Sequence, residues 1–315
     1  MFDGVPAQGN NGELSLDGEY HIYVGNDNGF ITLAKQAKHL GFVLSKRANM
    51  ASREAKWKAL TAVARPISKV REYQFESSRY RRSFIVRNPP LLSEKSKFPR
   101  RIFAVWTGEN ELSPNRKRNL ERLQSSLGLE LQLVTPSNLG DWVVAEHPIH
   151  TAYESLSLVH RSDYLRAYLL HHHGGGYVDV KEPKASWIGA FEAMEKNPTT
   201  WISGYRELNA KASTRIAGRM GADIAFNFSK LVGTSSILAR SHTPFTGEWM
   251  REVDRKMDYY ADQLAEFPGG VRGEVIGYPV SWTHLLGRIY QPLQLKYLDH
   301  IRPDDSLLLE FTDYQ

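Results

Sequence analysis

The sequence predicts an α/β fold with a basic, helical N-terminal extension, and three observations carry that prediction. A strand, a helix and a second strand follow one another over residues 102–135 at the spacing of a βαβ unit. A further helix, 158–173, runs into three consecutive glycines and then a short β-prone stretch that ends on an aspartate. Finally, about eighteen Lys and Arg against four Glu crowd residues 31–101, although the net charge of the 315-residue chain is only +5, so the remainder is acidic on balance.

Taken in order, the first thirty residues are rich in Gly, Asn and Asp, with alternation over Tyr20-His21-Ile22-Tyr23-Val24 that fits either a small hairpin or a loosely held arm. From residue 31 to about 70 the apolar period becomes helical. Two basic amphipathic helices are expected there, broken near Gly41 and ended by Pro66, with Trp57, Leu60 and Ala64 on one face. Asn88-Pro89-Pro90-Leu91-Leu92-Ser93 reads as a linker, which divides the chain into an extension, 1–88, and a main domain, 89–315. Ile102 to Trp106 is a near-continuous apolar run suited to a buried parallel strand. Residues 114–127 form a helix capped by Ser113 with Pro114 at its first position, and 129–135 the next strand. After the glycines, a helix over 185–195, a strand over 199–205, a loop at 218–221 suited to a mobile cover, a strand at 236–239 and a helix over 244–267 complete the pattern.

Composition narrows the function classes. Cysteine is absent, which excludes disulfides and thiolate metal sites and favours a cytosolic setting. No apolar run is long enough to span a bilayer, and Met1-Phe2-Asp3-Gly4-Val5-Pro6 lacks the features of a signal peptide. The basic front suits an anionic surface such as a membrane face. No nucleic-acid motif accompanies it, so no nucleic acid is expected as partner.

The chemistry concentrates in residues 161–181. Asp163 and Arg166 sit three apart on a helix and share a face. Gly174, Gly175 and Gly176 end that helix, and Tyr177-Val178-Asp179-Val180 places a carboxylate near the carboxyl end of a strand, where α/β sheets bind ligands. One cation and two carboxylates beside an aromatic suit a ligand that bears both hydroxyls and phosphates. Each feature alone is commonplace: a surface ion pair, a turn aspartate, histidines in a last helical turn. The run His171-His172-His173 is read as a helix end that meets the dipole, not as a metal site.

The ordered string Ser162-Asp163-x-x-Arg166, helix, Gly174-Gly175-x-Tyr177, Asp179 resembles that of the sugar transferases with an Asp-x-Asp motif. Those include glycosyltransferase family 32, the bacterial capsular polysaccharide synthesis proteins and the glucosyltransferase domains of large clostridial toxins. Pro99-Arg100-Arg101-Ile102 running to Trp106 and Gly108 is similar to their first strand. The second Asp of the motif is Lys181 here.

The resemblance implies a GT-A-like, Rossmann-type mixed sheet flanked by helices. It also implies a nucleotide-sugar donor, a glycan or lipid-linked acceptor, and retaining transfer in bacterial capsule or surface polysaccharide synthesis, at the inner face of the cytoplasmic membrane. It assigns Asp179, Asp163 and Arg166 to catalysis and Trp106, Gly108, Asp163, Arg166, Tyr177, Asp179, Lys181 and Trp282 to the donor, with Trp106 on the base, Asp163 and Arg166 on the sugar hydroxyls and Arg166 also near phosphate. For Lys181 three outcomes stay open. Asp179 holds Mn²⁺ or Mg²⁺ with help from Glu182 or His284; or Lys181 itself neutralises phosphate and transfer is metal-independent; or the protein is an inactive relative. The alternatives at the level of function are a toxin-like protein glycosyltransferase and a non-catalytic sugar-nucleotide-binding module.

Overall fold

The computed structural model describes residues 29–312, so the expected Tyr20–Val24 hairpin lies outside the described residues. The chain divides into two units, residues 1–55 and 56–315. Helix α1 (Gly29–Val70) is continuous through Gly41 and carries Pro66 inside it, which corrects the expectation of two helices. A mid-helix glycine costs only about 1 kcal/mol. Near the end of α1, tertiary packing outweighs the proline: Ala64 and Ser68 are buried, and Trp57, Leu60 and Ala64 pack with Ala210 and Phe228. In the first unit Leu40, Phe42, Leu44 and Met50 are exposed on the helix.

The second unit is built on a six-stranded mixed sheet, the GT-A-like arrangement expected. Its strands are β1 (Arg101–Val105), β2 (Glu130–Val134), β3 (Gly175–Val178), β4 (Ile202–Arg206), β5 (Val232–Ala239) and β6 (Ile301–Pro303). They lie in the order β2-β1-β3-β5-β4-β6, and only β5 runs antiparallel to its neighbours. Alternation along β1 sends Phe103 and Val105 to one core and Ile102 and Ala104 to the other, so both faces are covered and the strand is apolar throughout.

Helices α2 (Pro114–Ser126) and α4 (Ile188–Lys196) cover one face, where Leu123, Phe191 and Met194 meet Ile102, Val178 and Leu238. Helices α3 (Leu158–His172), α6 (Pro244–Glu266) and α7 (Gly287–Lys296) cover the other. The segment expected to be a loop at 218–221 is the first turn of α5 (Gly218–Phe226). Its glycines hide a helical pattern in which Met220, Ile224 and Ala225 are buried.

The joint between α3 and β3 sets the geometry of everything nearby. His173 and Gly174 both donate their N–H to the Leu169 carbonyl, closing the helix. Gly174 and Gly175 turn with φ of 69° and 93°. An added Cβ on Gly175 would lie 2.6 Å from the Arg101 carbonyl oxygen. Only glycine combines that backbone with that proximity to β1. The strand therefore begins at Gly175 rather than Tyr177, and Asp179 falls just beyond its end.

The three histidines of this joint are structural, but not through charge. Burial and neighbouring histidines push His171 and His172 down to about 3, so both rings are neutral at pH 7. Packing and hydrogen bonds to Thr246 and the Trp142 carbonyl hold this run, and no dipole contact of a cation is involved.

Candidate functional site

Because only β5 is reversed, the carboxyl ends of β1, β3 and β4 open on the same edge of the sheet. A cleft of about 1190 Å³ lies along that edge. Trp106 and Gly108 enter it from the end of β1, Asp179 and Lys181 from β3, Glu207 from β4, and Asp163 and Arg166 from α3.

Strand alternation explains the convergence of α3 and β3. Tyr177 belongs to the core on the α3 side of the sheet, and Asp179, two residues on, points the same way. Arg166 is the hub. One Nη donates to Asp163 at 3.3 Å; the other donates to the Tyr177 hydroxyl and to Asp179 Oδ1, both at 3.0 Å. The guanidinium also sits 4.3 Å from the Tyr177 ring centroid. Ser162 steadies the Tyr177 hydroxyl at 3.0 Å. Lys181 Nζ closes the set on Asp179 Oδ2 at 2.5 Å.

Burial and charge then divide the two carboxylates. Burial works against ionised Asp179, but Lys181 and Arg166 outweigh it and hold the group at about 2. Asp163 has Arg166 alone and is more deeply enclosed, so burial pushes it up to about 7. Burial likewise opposes the Arg166 charge, yet Tyr177, Asp179 and Asp163 together raise its pKa. Burial also lifts Tyr177, to about 12. Below about pH 7, where Asp163 keeps its proton, the four-residue set of Asp163, Arg166, Asp179 and Lys181 carries two cations and one anion. That excess suits an incoming phosphate oxyanion.

These donors do not suit a divalent cation. Both oxygens of Asp179 are already engaged by cations. Glu182 pairs with Arg122 at the surface. His284 does not line the cleft; its ring faces Tyr260 and Ser281. Among the described residues no group of three or more His, Asp or Glu is placed to hold a metal ion.

The remaining expected residues lie at the walls. Trp106 is half-buried, its indole N–H donating to the Asn110 carbonyl at 2.8 Å, which fixes the ring. Trp282 stands at the rim with 60% of its surface exposed. The cleft also gathers residues that sequence reasoning missed: Arg215, Arg272 and Arg288 as cations, and Glu207 with Ser213, Thr214 and Gln291 as a polar corner. One of these had a readable signal, since Glu207 follows a β-prone run just as Asp179 does.

Residues 79–180, about a third of the chain, match the family model described as capsular polysaccharide synthesis protein. The match spans Trp106, Asp163, Arg166, Tyr177 and Asp179 and stops one residue before Lys181. It supports a role in capsule biosynthesis. No curated protein matches the chain. Among the described residues no helix is long and apolar enough to cross a membrane.

Proposed function

We propose that this chain is a glycosyltransferase of bacterial capsule or surface polysaccharide assembly. It moves a sugar from a nucleotide-diphosphate donor to a glycan or lipid-linked acceptor, and it does so without a resident metal ion. One observation carries the reading: the Asp163–Arg166–Asp179–Lys181 set lies on the floor of a cleft walled by Trp106 and rimmed by Trp282.

Each group has a physical task. The indole of Trp106 offers a face to the base, and such stacking contributes about 1–3 kcal/mol. Lys181 and Arg166 meet the diphosphate, whose negative charge grows as the glycosidic bond breaks. Preorganised cations at that point lower the barrier. Asp163 accepts from sugar hydroxyls, and Asp179 orients both cations. The resemblance implies retention of anomeric configuration, which needs no dedicated base, because the departing phosphate oxygen takes the acceptor's proton. Work on a lipid-linked acceptor would place the protein at the cytoplasmic face of the membrane, in peripheral contact through its basic N-terminal region.

The test is a thermal-shift screen of UDP-, GDP- and CMP-sugars, with Mn²⁺ and with EDTA, followed by donor hydrolysis. A ligand at a hundred times its Kd adds about 2.7 kcal/mol of stability. A shift with one diphosphate donor, unchanged by EDTA, is the expected result, together with hydrolysis abolished in Asp179→Ala. Full activity in that variant rules out the site, and binding without turnover leaves only a sugar-nucleotide-binding module.

A further inference from the structure

A second carboxylate stands at the carboxyl end of a parallel strand in the same cleft. Glu207 follows β4, which runs parallel to β3 with β5 between them. Two inter-strand steps separate the two strand ends, roughly 10 Å. That span matches a sugar ring attached to a phosphate better than direct contact between the acids.

The surroundings of Glu207 are unlike those of Asp179. Glu207 is buried and accepts from the Leu208 N–H at 3.3 Å and from the Gln291 amide at 3.4 Å. Among the described residues it forms no ion pair, and burial pushes its carboxyl up to about 6. Beside it, Gln291 Oε1 accepts from the Thr214 N–H at 2.6 Å. Ser213 and Thr214 line the cleft, each residue more than nine-tenths buried, and neither buried side-chain oxygen is hydrogen-bonded to the protein. Buried polar groups without partners are costly, and two of them on neighbouring residues that line a cleft point to a ligand rich in hydroxyls.

We infer that Glu207, Ser213, Thr214 and Gln291 form the half of the cleft that receives the reacting sugar ring, with Glu207 a catalytic residue facing that ring. The inference rests on the transferase reading above and adds the sugar side of the same site. As the bond from the anomeric carbon to the diphosphate oxygen breaks, its electron pair stays with that oxygen, held by Arg166 and Lys181. The acceptor oxygen bonds to the anomeric carbon, and its proton passes to the departing phosphate oxygen. Positive charge builds on the ring meanwhile, and the Glu207 carboxylate balances it without forming a bond. Two cations thus face the leaving group while one anion faces the ring. This electrostatic division is the kind of preorganisation that accelerates group transfer.

The experiment compares wild type, Glu207→Gln and Glu207→Asp for binding of UDP- and GDP-sugars by calorimetry, hydrolysis of the same donors, and the pH profile of hydrolysis. Loss of one preorganised charge of this kind costs about 10²–10³ in kcat. The expected result is that loss in Glu207→Gln, with donor affinity within about threefold of wild type and partial recovery in Glu207→Asp. Wild-type hydrolysis should fall as pH drops through about 6, a limb absent from the residual activity of Glu207→Gln. Wild-type turnover in Glu207→Gln overturns the inference and leaves the transferase reading intact. A wild-type protein that hydrolyses no donor overturns both. A lowered melting temperature with unchanged kcat assigns Glu207 to stability alone and also overturns it.

Discussion

Asp163 and Asp179 share one guanidinium and behave oppositely, because only Asp179 has a second cation in Lys181. The difference should be visible in stability. The folded-state pKa of Asp163 is raised, to about 7. The native protein therefore keeps this proton while the unfolded chain releases it, and Asp163 lowers stability as pH rises from about 4 to 7, by about 1.4 kcal/mol per unit. Asp179, depressed to about 2, adds stability above pH 4 that is lost only in stronger acid. His171 and His172 slope the other way from Asp163: held down to about 3, they lose stability as pH falls below about 6.5. A raw melting curve against pH mixes these slopes, but a difference curve separates them. Asp163→Asn should gain on wild type in melting temperature steadily between pH 4 and 7, then stay level. A gap that is constant with pH, or that favours wild type more as pH rises, means that the Arg166 ion pair outweighs burial.

At the scale of elements, the α3–glycine–β3 joint was the most legible part of the chain, because each of its signals is local. The helical period of 158–173, the glycine stop and the following acid need no knowledge of neighbours, and the same holds for Ser113, whose hydroxyl caps α2. What stayed hidden depends on partners distant in sequence. Strand β6 is Ile301-Arg302-Pro303, too short to show a period, and it exists because it pairs with Ile202, Ser203 and Gly204. The α5 helix is masked by Gly218 and Gly221, and α1 hides its continuity behind a glycine of small helix cost and a proline that packing near Ala64 outweighs. Glu207 was legible as an acid after a strand, but its place opposite Asp179 requires knowing that β5 inserts between β3 and β4. The joint also makes a direct prediction. Gly175→Ala must hold a side chain at φ 93° with its Cβ against the Arg101 carbonyl. The backbone penalty alone is about 1–2 kcal/mol. Displacement of β1 adds to it, so the unfolding midpoint should fall markedly, with donor binding weakened as Trp106 shifts. A midpoint within 1 °C or so of wild type would mean that the strand pair relaxes freely and does not fix the site, since about 1 kcal/mol moves a domain of this size by roughly 2–4 °C.

For the whole molecule, the uneven charge gives the proposed membrane contact its test. The chain carries a net +5, yet the basic excess of residues 31–101 leaves the rest acidic on balance. In the first unit α1 exposes Lys38, Lys46 and Arg47 together with Leu40, Phe42, Leu44 and Met50. Cations with apolar side chains between them are what a peripheral helix needs at an anionic bilayer, the charges attracting it and the apolar groups entering the interface. The exposed apolar residues are spread around the helix rather than gathered in one stripe, so attraction by charge should dominate, and binding should be reversible and salt-sensitive. Co-sedimentation of the full chain with vesicles is expected when they contain about a third phosphatidylserine, but not with pure phosphatidylcholine. Raising the salt to 0.5 M should release the protein, because the screening length shrinks to well under 10 Å. Near such a surface each cation is worth about fivefold in binding. The combined reversal Lys38→Glu, Lys46→Glu and Arg47→Glu should therefore weaken sedimentation at least about a hundredfold while donor hydrolysis in solution stays at the wild-type rate. Equal binding to neutral vesicles would show that charge does not drive the contact, and binding that the triple reversal leaves intact would show that this helix does not bring the protein to a membrane and that its exposed cations serve another partner.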